Sequence, residues 1–288
     1  MTAIALACCA WPVAAYAHDG GHDAPLQGMS GWDALAVGAL IAAGVLYAAG
    51  QRRLARRGVP VGWGQWSAYW SGWVAMMAAI LPPLDGLAAI RFSAHMVQHE
   101  LLMLVGVPLM LAGRPVSVYL WALAPASRLA AARVLQWNVV SAVWRLLTLP
   151  VVAWALHGLA IWIWHVPALY ETAVRHESVH ALQHAMFVGS AVCFWWGLVY
   201  GRYGRVGYGA SVFYVFTTVV HTGLLGAVFA LTSTPLYQVY VERGPDPVED
   251  QQVAGLVMWI PAGIVLTATG IALFAAWLGA AGRRPART

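Results

Sequence analysis

The chain has 288 residues, of which 61% are hydrophobic and 9% charged, with a formal net charge of +5. So little polar surface cannot cover a water-soluble globule, which excludes a soluble enzyme or binding module and puts the chain in a bilayer. Its positive side chains, all Arg, fall in short clusters between apolar runs, a pattern that membrane orientation explains and nucleic-acid binding does not.

Residues 1–17, MTAIALACCAWPVAAYA, are a short, Pro-broken apolar run ending in the small-x-small site Ala15-Tyr16-Ala17. They are too short to span and read as a signal peptide, although no positive charge opens them. Residues 18–32 form an outer segment containing HDGGHD. Residues 33–282 read as one membrane domain, and 283–288 as a basic tail. Apolar stretches near the ~20 residues that cross a ~30 Å hydrocarbon core fall at about 33–50, 65–84, 93–113, 148–167, 179–200, 208–231 and 253–279. The expected fold is all-α, a polytopic bundle of seven transmembrane helices. Between the third and fourth, VSVYLWALAP is too short to span, and ASRLAAARVLQWNVVSAVWRLL reads as an interfacial amphipathic helix.

Loop charge sets the orientation. Arg52, Arg53, Arg56 and Arg57 follow the first stretch, and Arg114, Arg128, Arg133 and Arg145 lie between the third and fourth. Arg202 and Arg205 follow the fifth, and Arg283, Arg284 and Arg287 the seventh. These alternate loops are cytoplasmic by the positive-inside rule, with the N-terminus outside and the C-terminus inside. Asp19, Asp23, Asp33, Asp85, Glu171, Glu177, Glu242, Asp246, Glu249 and Asp250 then fall at outer ends, and Glu100 in the outer part of the third span.

Cysteine carries no chemistry here. Cys8 and Cys9 sit in the N-terminal run, Cys193 is alone, and no CxxC clamp exists. The ten His are more informative, since none falls on the cytoplasmic side. His18 and His22 lie in HDGGHD, His95 and His99 in the third stretch, and His165 ends the fourth. His176, His180 and His184 lead into the fifth, while His157 and His221 lie deeper. Residues four apart share a helix face, so His95 with His99 can hold one ion. His176, His180 and His184 do likewise if the fifth helix starts early enough. Ionisable groups within a membrane are costly and mark functional interiors. Imidazole, with Asp250, Glu249 or Met258 nearby, suits copper, with zinc as the rival. A lone His such as His157 reads instead as a packing or cavity residue. His165 and His176 stand open between ligand and headgroup-level roles, HDGGHD between copper capture and a solvated tail, and the Met residues read as core. Haem needs depth-matched His on facing helices, and clustering near one surface argues against it.

Three segments resemble a known family: FSAHMVQHELLMLVGVPLMLAGRP (92–115), WHVPALYETAVRHESVHALQHAMFVGSAVCFWW (164–196), and HTGLLGAVFALTSTPLY with EDQQVAGLVMWIPAG (221–237, 249–263). They are similar to the seven-span CtaG-type cytochrome c oxidase assembly proteins. The resemblance implies a bacterial inner-membrane factor that helps copper reach a haem–copper oxidase. It also implies contact with oxidase subunits and admits periplasmic copper chaperones as donors. The matching positions are His95, His99, His165, His176, His180, His184, His221 and Asp250. The alternative from another class is a membrane-embedded zinc-dependent hydrolase, with Glu100 or Asp250 as polarising carboxylate, although HExxH is missing. A copper permease would need ligands along the whole path, and the inner half offers little beyond Cys193.

Protonated imidazole cannot ligate a metal. Copper affinity, measured by titration calorimetry in detergent, is expected to fall as pH drops through the imidazole range of about 6–7.

Overall fold

A bilayer leaves no water to satisfy backbone amides, so an apolar chain crossing one must satisfy them within each segment, as helix. The computed structural model describes residues 31–200 and 208–281, and helices are the regular structure found there, with no strand among the described residues. The expected signal peptide, the basic tail, and His18 with His22 lie outside the described residues.

The helices are α1 (Gly31–Ala55), α2 (Trp63–Ile80), α3 (Leu84–Ala88), α4 (Phe92–Ala112), α5 (Pro115–Ala122), α6 (Pro125–Gln136), α7 (Asn138–Leu147), α8 (Pro150–Trp164), α9 (Pro167–Arg175), α10 (Glu177–Tyr200), α11 (Tyr208–Leu231), α12 (Gln238–Arg243) and α13 (Pro247–Ala281). α5, α6, α8, α9 and α13 each open on Pro, whose missing N–H costs nothing at a first helical position.

Five of them, α1, α4, α10, α11 and α13, are long and apolar enough to cross a membrane, and α7 with α8 make a sixth if that pair, bent by 66°, is one span. The chain is therefore an all-helical membrane protein. The α7–α8 bend has a local cause. Leu149 precedes Pro150 and is held extended (φ −61°, ψ 132°), because the proline ring disfavours helical backbone in the residue before it. The single interfacial helix expected over 126–147 is two helices, broken where Trp137 turns extended, and neither α6 nor α7 buries a residue.

α4 changes winding part-way. Residues Leu101–Gly106 form a π-helical segment immediately after His99 and Glu100. Pro108 has no N–H to give the carbonyl of Leu104 and its ring crowds that oxygen, which favours the wider turn. The extra residue re-aims the helix, so that His95, Met96 and His99 face the interior before the segment, Leu102, Met103 and Gly106 within it, and Val107 after it.

Small residues bring the helices close. A Cβ on Gly72 of α2 would stand 2.7 Å from the Gly106 carbonyl of α4, and one on Gly226 of α11 would stand 2.9 Å from that of Gly255 on α13. Lipid supplies no hydrophobic drive between helices, so such backbone approach carries much of the association. The main core joins α4, α8, α9, α10, α11, α12 and α13 and includes Phe92, Met96, Met258 and Phe229. It gathers the N-terminal ends of α4, α10 and α13 and the C-terminal end of α8 at one pole. The arginines after α1 and in α6 occupy the other.

Gly255→Leu has nowhere to place its side chain against Gly226 and Ala230. It is expected to cost at least the ~1–3 kcal/mol of overpacking, read as a lowered thermal unfolding midpoint in detergent. Gly189→Ala, which meets open space, should leave the midpoint unchanged.

Candidate metal centre

On a helix, residues four apart stand one above the other, and the chain uses this spacing on two facing helices. On α4, His95 and His99 are each 2% exposed, with ring centroids 4.4 Å apart. On the first turns of α10, His180 and His184 lie 4.1 Å apart. The pairs face each other, His95 lying 5.2 Å from His180 and His99 lying 5.3 Å from His184. His165, just past the end of α8, adds a fifth ring 6.3 Å from His99. One nitrogen from each of His95, His180 and His184 lies within 4.8 Å of the other two. Metal–imidazole bonds of about 2.0–2.1 Å put ligand nitrogens roughly 3.5 Å apart, so small side-chain rotations bring these three onto one ion.

Hydrogen bonds orient the rings. Nδ1 of His165 lies 2.6 Å from the Ile161 carbonyl. A carbonyl only accepts, so Nδ1 carries the proton and Nε2 is left as a bare lone pair. His95 is held by Tyr240, whose hydroxyl lies 3.0 Å from Nδ1, 3.0 Å from the Tyr170 hydroxyl and 3.2 Å from the Ala88 carbonyl. With Tyr240 donating to that carbonyl, its oxygen accepts from His95 Nδ1–H, and His95 Nε2 is also a lone pair. Burial pushes the Tyr240 hydroxyl well up, so it remains a donor. Metal-ligating histidines ordinarily carry this second hydrogen bond on the far nitrogen.

The near nitrogens have no partner. Nε2 of His95, His165, His180 and His184 and both nitrogens of His99 are buried without a hydrogen bond. Buried polar atoms are ordinarily satisfied, so several orphans facing one another at one place fit a cation that imidazole ligates. Phe187 closes the cluster beside His99, with rings 4.7 Å apart.

An opening of about 300 Å³ reaches His95 and His180 and is edged by Asp33, Asp85 and Glu177. Arg175, also at its edge, is paired with Glu242 at 2.8 Å. Burial, with the negative charge of Asp33 nearby, holds the Asp85 carboxyl above the usual carboxylate range, while the Gln98 amide donates to it at 3.0 Å and opposes that rise. The approach to the histidines is thus acidic.

The remaining expected residues are placed elsewhere. His176 is exposed at the α9–α10 junction, where its carbonyl accepts from the amides of Val179 and His180. α10 begins one residue too late for His176 to join the helical stripe. His221 packs against α8, 3.6 Å from where a Gly158 Cβ would stand. Asp250 is buried, but its carboxylate accepts from the Phe92 amide at 2.6 Å, the Ser93 amide at 3.4 Å and the Ser93 hydroxyl. It caps α4 from another helix, where a negative charge answers the helix dipole. Glu100 borders a separate cavity of about 40 Å³ with His157, Thr218 and Thr222. His157 bonds Ser190 at 3.1 Å.

Comparison with known proteins decides the family. The model of the cytochrome c oxidase caa3 assembly factor (Caa3_CtaG) family matches residues 45–280. The chain belongs to that family. An uncharacterized protein of Mycobacterium leprae (strain TN) is 25% identical over 256 residues, covering 85% of this chain and 39% of its own length. The chain therefore spans about two fifths of that curated relative. No solved structure matches.

Sequence reasoning missed what surrounds the histidines in this Caa3_CtaG chain. Tyr240, which bonds His95 from 145 residues away, leaves no local spacing to find, and Asp85 reads only as an outer-end carboxylate until the fold sets it beside Gln98 at the opening.

Asp250→Ala leaves the first amides of α4 unpaired and is expected to cost about 1–2 kcal/mol, the size of a lost helix cap, measured by thermal or denaturant unfolding. Tyr240→Phe should weaken metal binding some 10–100-fold, the usual effect of losing an outer hydrogen bond to a ligating His, with far-ultraviolet circular dichroism unchanged.

Proposed function

We propose that this family member holds copper as cargo at the outer, periplasmic side of the bacterial inner membrane and delivers it to a haem–copper oxidase during assembly. His95, His180 and His184 supply the first donors, and His99 and His165 stand beside them as alternates during exchange. The carrying observation is the convergence of five imidazoles from α4, α8 and α10 with unpartnered nitrogens in one place. An all-imidazole set suits copper or zinc, and service to a cytochrome c oxidase favours copper. The acidic opening supports entry from that pole. Positive-inside placement of the arginine loops supports its being the periplasmic one, with α2 and the α7–α8 pair completing seven spans and the N-terminus outside. In this reading His18 and His22 make a first capture site.

Of the two carboxylates that a zinc hydrolase would use, Asp250 is bonded to the start of α4, and Glu100 borders the cavity beside His157 and not the opening to the histidines. This supports a holding role over a catalytic one. Oxidase subunits and periplasmic copper chaperones are the partners the role requires.

The test is copper content and partner activity together. His95→Ala with His184→Ala is expected to remove most bound copper from protein purified out of copper-replete cells. It should also lower oxidase activity in membranes, with the amount of this protein unchanged. Full copper occupancy in the double variant would overturn the assignment.

A further inference from the structure

The pole opposite the histidines has a charge imbalance that the copper reading does not use. Arg53, Arg56 and Arg57 at the end of α1 and Arg128 on α6 line one open cavity of about 340 Å³ around Trp121. The Arg57 and Arg128 guanidiniums lie over the same indole ring, 4.8 Å and 4.0 Å from its centroid. Arg53 donates to the Leu123 carbonyl at 2.8 Å, which ties the end of α1 to the α5–α6 turn. Three like charges are thus held by an aromatic face and a carbonyl, and Arg56 lines the same cavity as a fourth.

No Asp or Glu occurs between Asp33 and Asp85, or between Glu100 and Glu171, the stretches that build this pole. Among the described residues the ion pair is Arg175–Glu242, on the far side. Arg52 and Arg53 in the last turn of α1 also answer its dipole, but a helix end carries only about half a charge. Among the described residues, most of this positive charge has no protein counterion.

α6 and α7, which continue from this corner, bury no residue and present Trp137, Val139 and Val143 outward. Helices of this kind lie at the headgroup level of a bilayer. The cavity therefore opens at the depth of lipid phosphate, and planar guanidinium forks match phosphate oxygens.

We propose that Arg53, Arg56, Arg57 and Arg128 around Trp121 form a binding site for the phosphate group of an anionic phospholipid. The bound headgroup neutralises the cluster and joins α1 to the α5–α6 corner.

The experiment uses the full chain purified in detergent and incubated with phosphatidylglycerol or phosphatidylcholine. Retained lipid is counted by native mass spectrometry, alongside the unfolding midpoint. Preferential retention of phosphatidylglycerol with a raised midpoint is expected. The double variant R57Q/R128Q should lower that preference roughly thirtyfold, since each juxtamembrane Arg contributes about 1 kcal/mol and tenfold is about 1.4 kcal/mol. R133Q/R145Q, outside the cavity, should keep it. Equal retention of the two lipids by the native chain, or an equal loss in both double variants, would overturn the site. So would inorganic phosphate alone reproducing the midpoint shift, since the site would then take the free anion. The native-chain comparison decides even if R57Q/R128Q fails to fold.

Discussion

An imidazole nitrogen taken out of water without a new partner costs about 1–3 kcal/mol, and this chain concentrates that loss at the meeting of α4, α8 and α10. His95, His99, His165, His180 and His184 would each be tolerable as isolated packing residues with both nitrogens bonded. Their near nitrogens instead face one another, while the far nitrogens of His95 and His165 are tied down by Tyr240 and the Ile161 carbonyl. Those two rings are held in place by their far nitrogens, and the unpartnered near nitrogens are the feature on which the proposed metal-holding role rests. In the proposed role, a bound cation would offset that desolvation.

The rest of the upper pole serves this arrangement. Asp250 reaches from α13 to cap α4, and Tyr237 donates to the His165 carbonyl at 2.8 Å. Gln251 accepts from the Leu236 amide at 2.7 Å and donates to the Thr234 carbonyl at 3.1 Å, closing the turn between α11 and α12. Glycine contacts between α2 and α4, and between α11 and α13, set the helix spacing on which those reaches depend.

Much of this was legible in the chain, and the reasons differ by element. The long apolar runs announce their helices because lipid leaves no other backbone solution, and HxxxH on α4 and α10 announces shared faces because helical periodicity is local. The stretch 65–84 reads as a span, yet α2 is not among the helices long and apolar enough to cross, because its Trp, Tyr, Ser and Gly residues dilute its hydropathy. The split of α6 from α7 at Trp137 has no Pro or Gly to mark it. Asp250 was expected among the metal ligands from its place in EDQQ, yet it bonds the start of α4, a contact 158 residues away in sequence. His221, equally legible as an intramembrane histidine, packs on Gly158 and not in the cluster. Residue type and spacing found the histidines that cluster, whereas the contacts that set Asp250 and His221 apart from them needed the fold.

The Asp250 cap also orders events in time. The ribosome finishes α4 long before α13 exists, so for more than a hundred residues of synthesis the start of α4 has none of its carboxylate partners. Tyr240, the brace on His95, arrives equally late. Membrane insertion can bring α4, α8 and α10 side by side, but the start of α4 gains its cap and His95 its brace only once α12 and α13 have been added. The outer pole is thereby completed only when translation is nearly done.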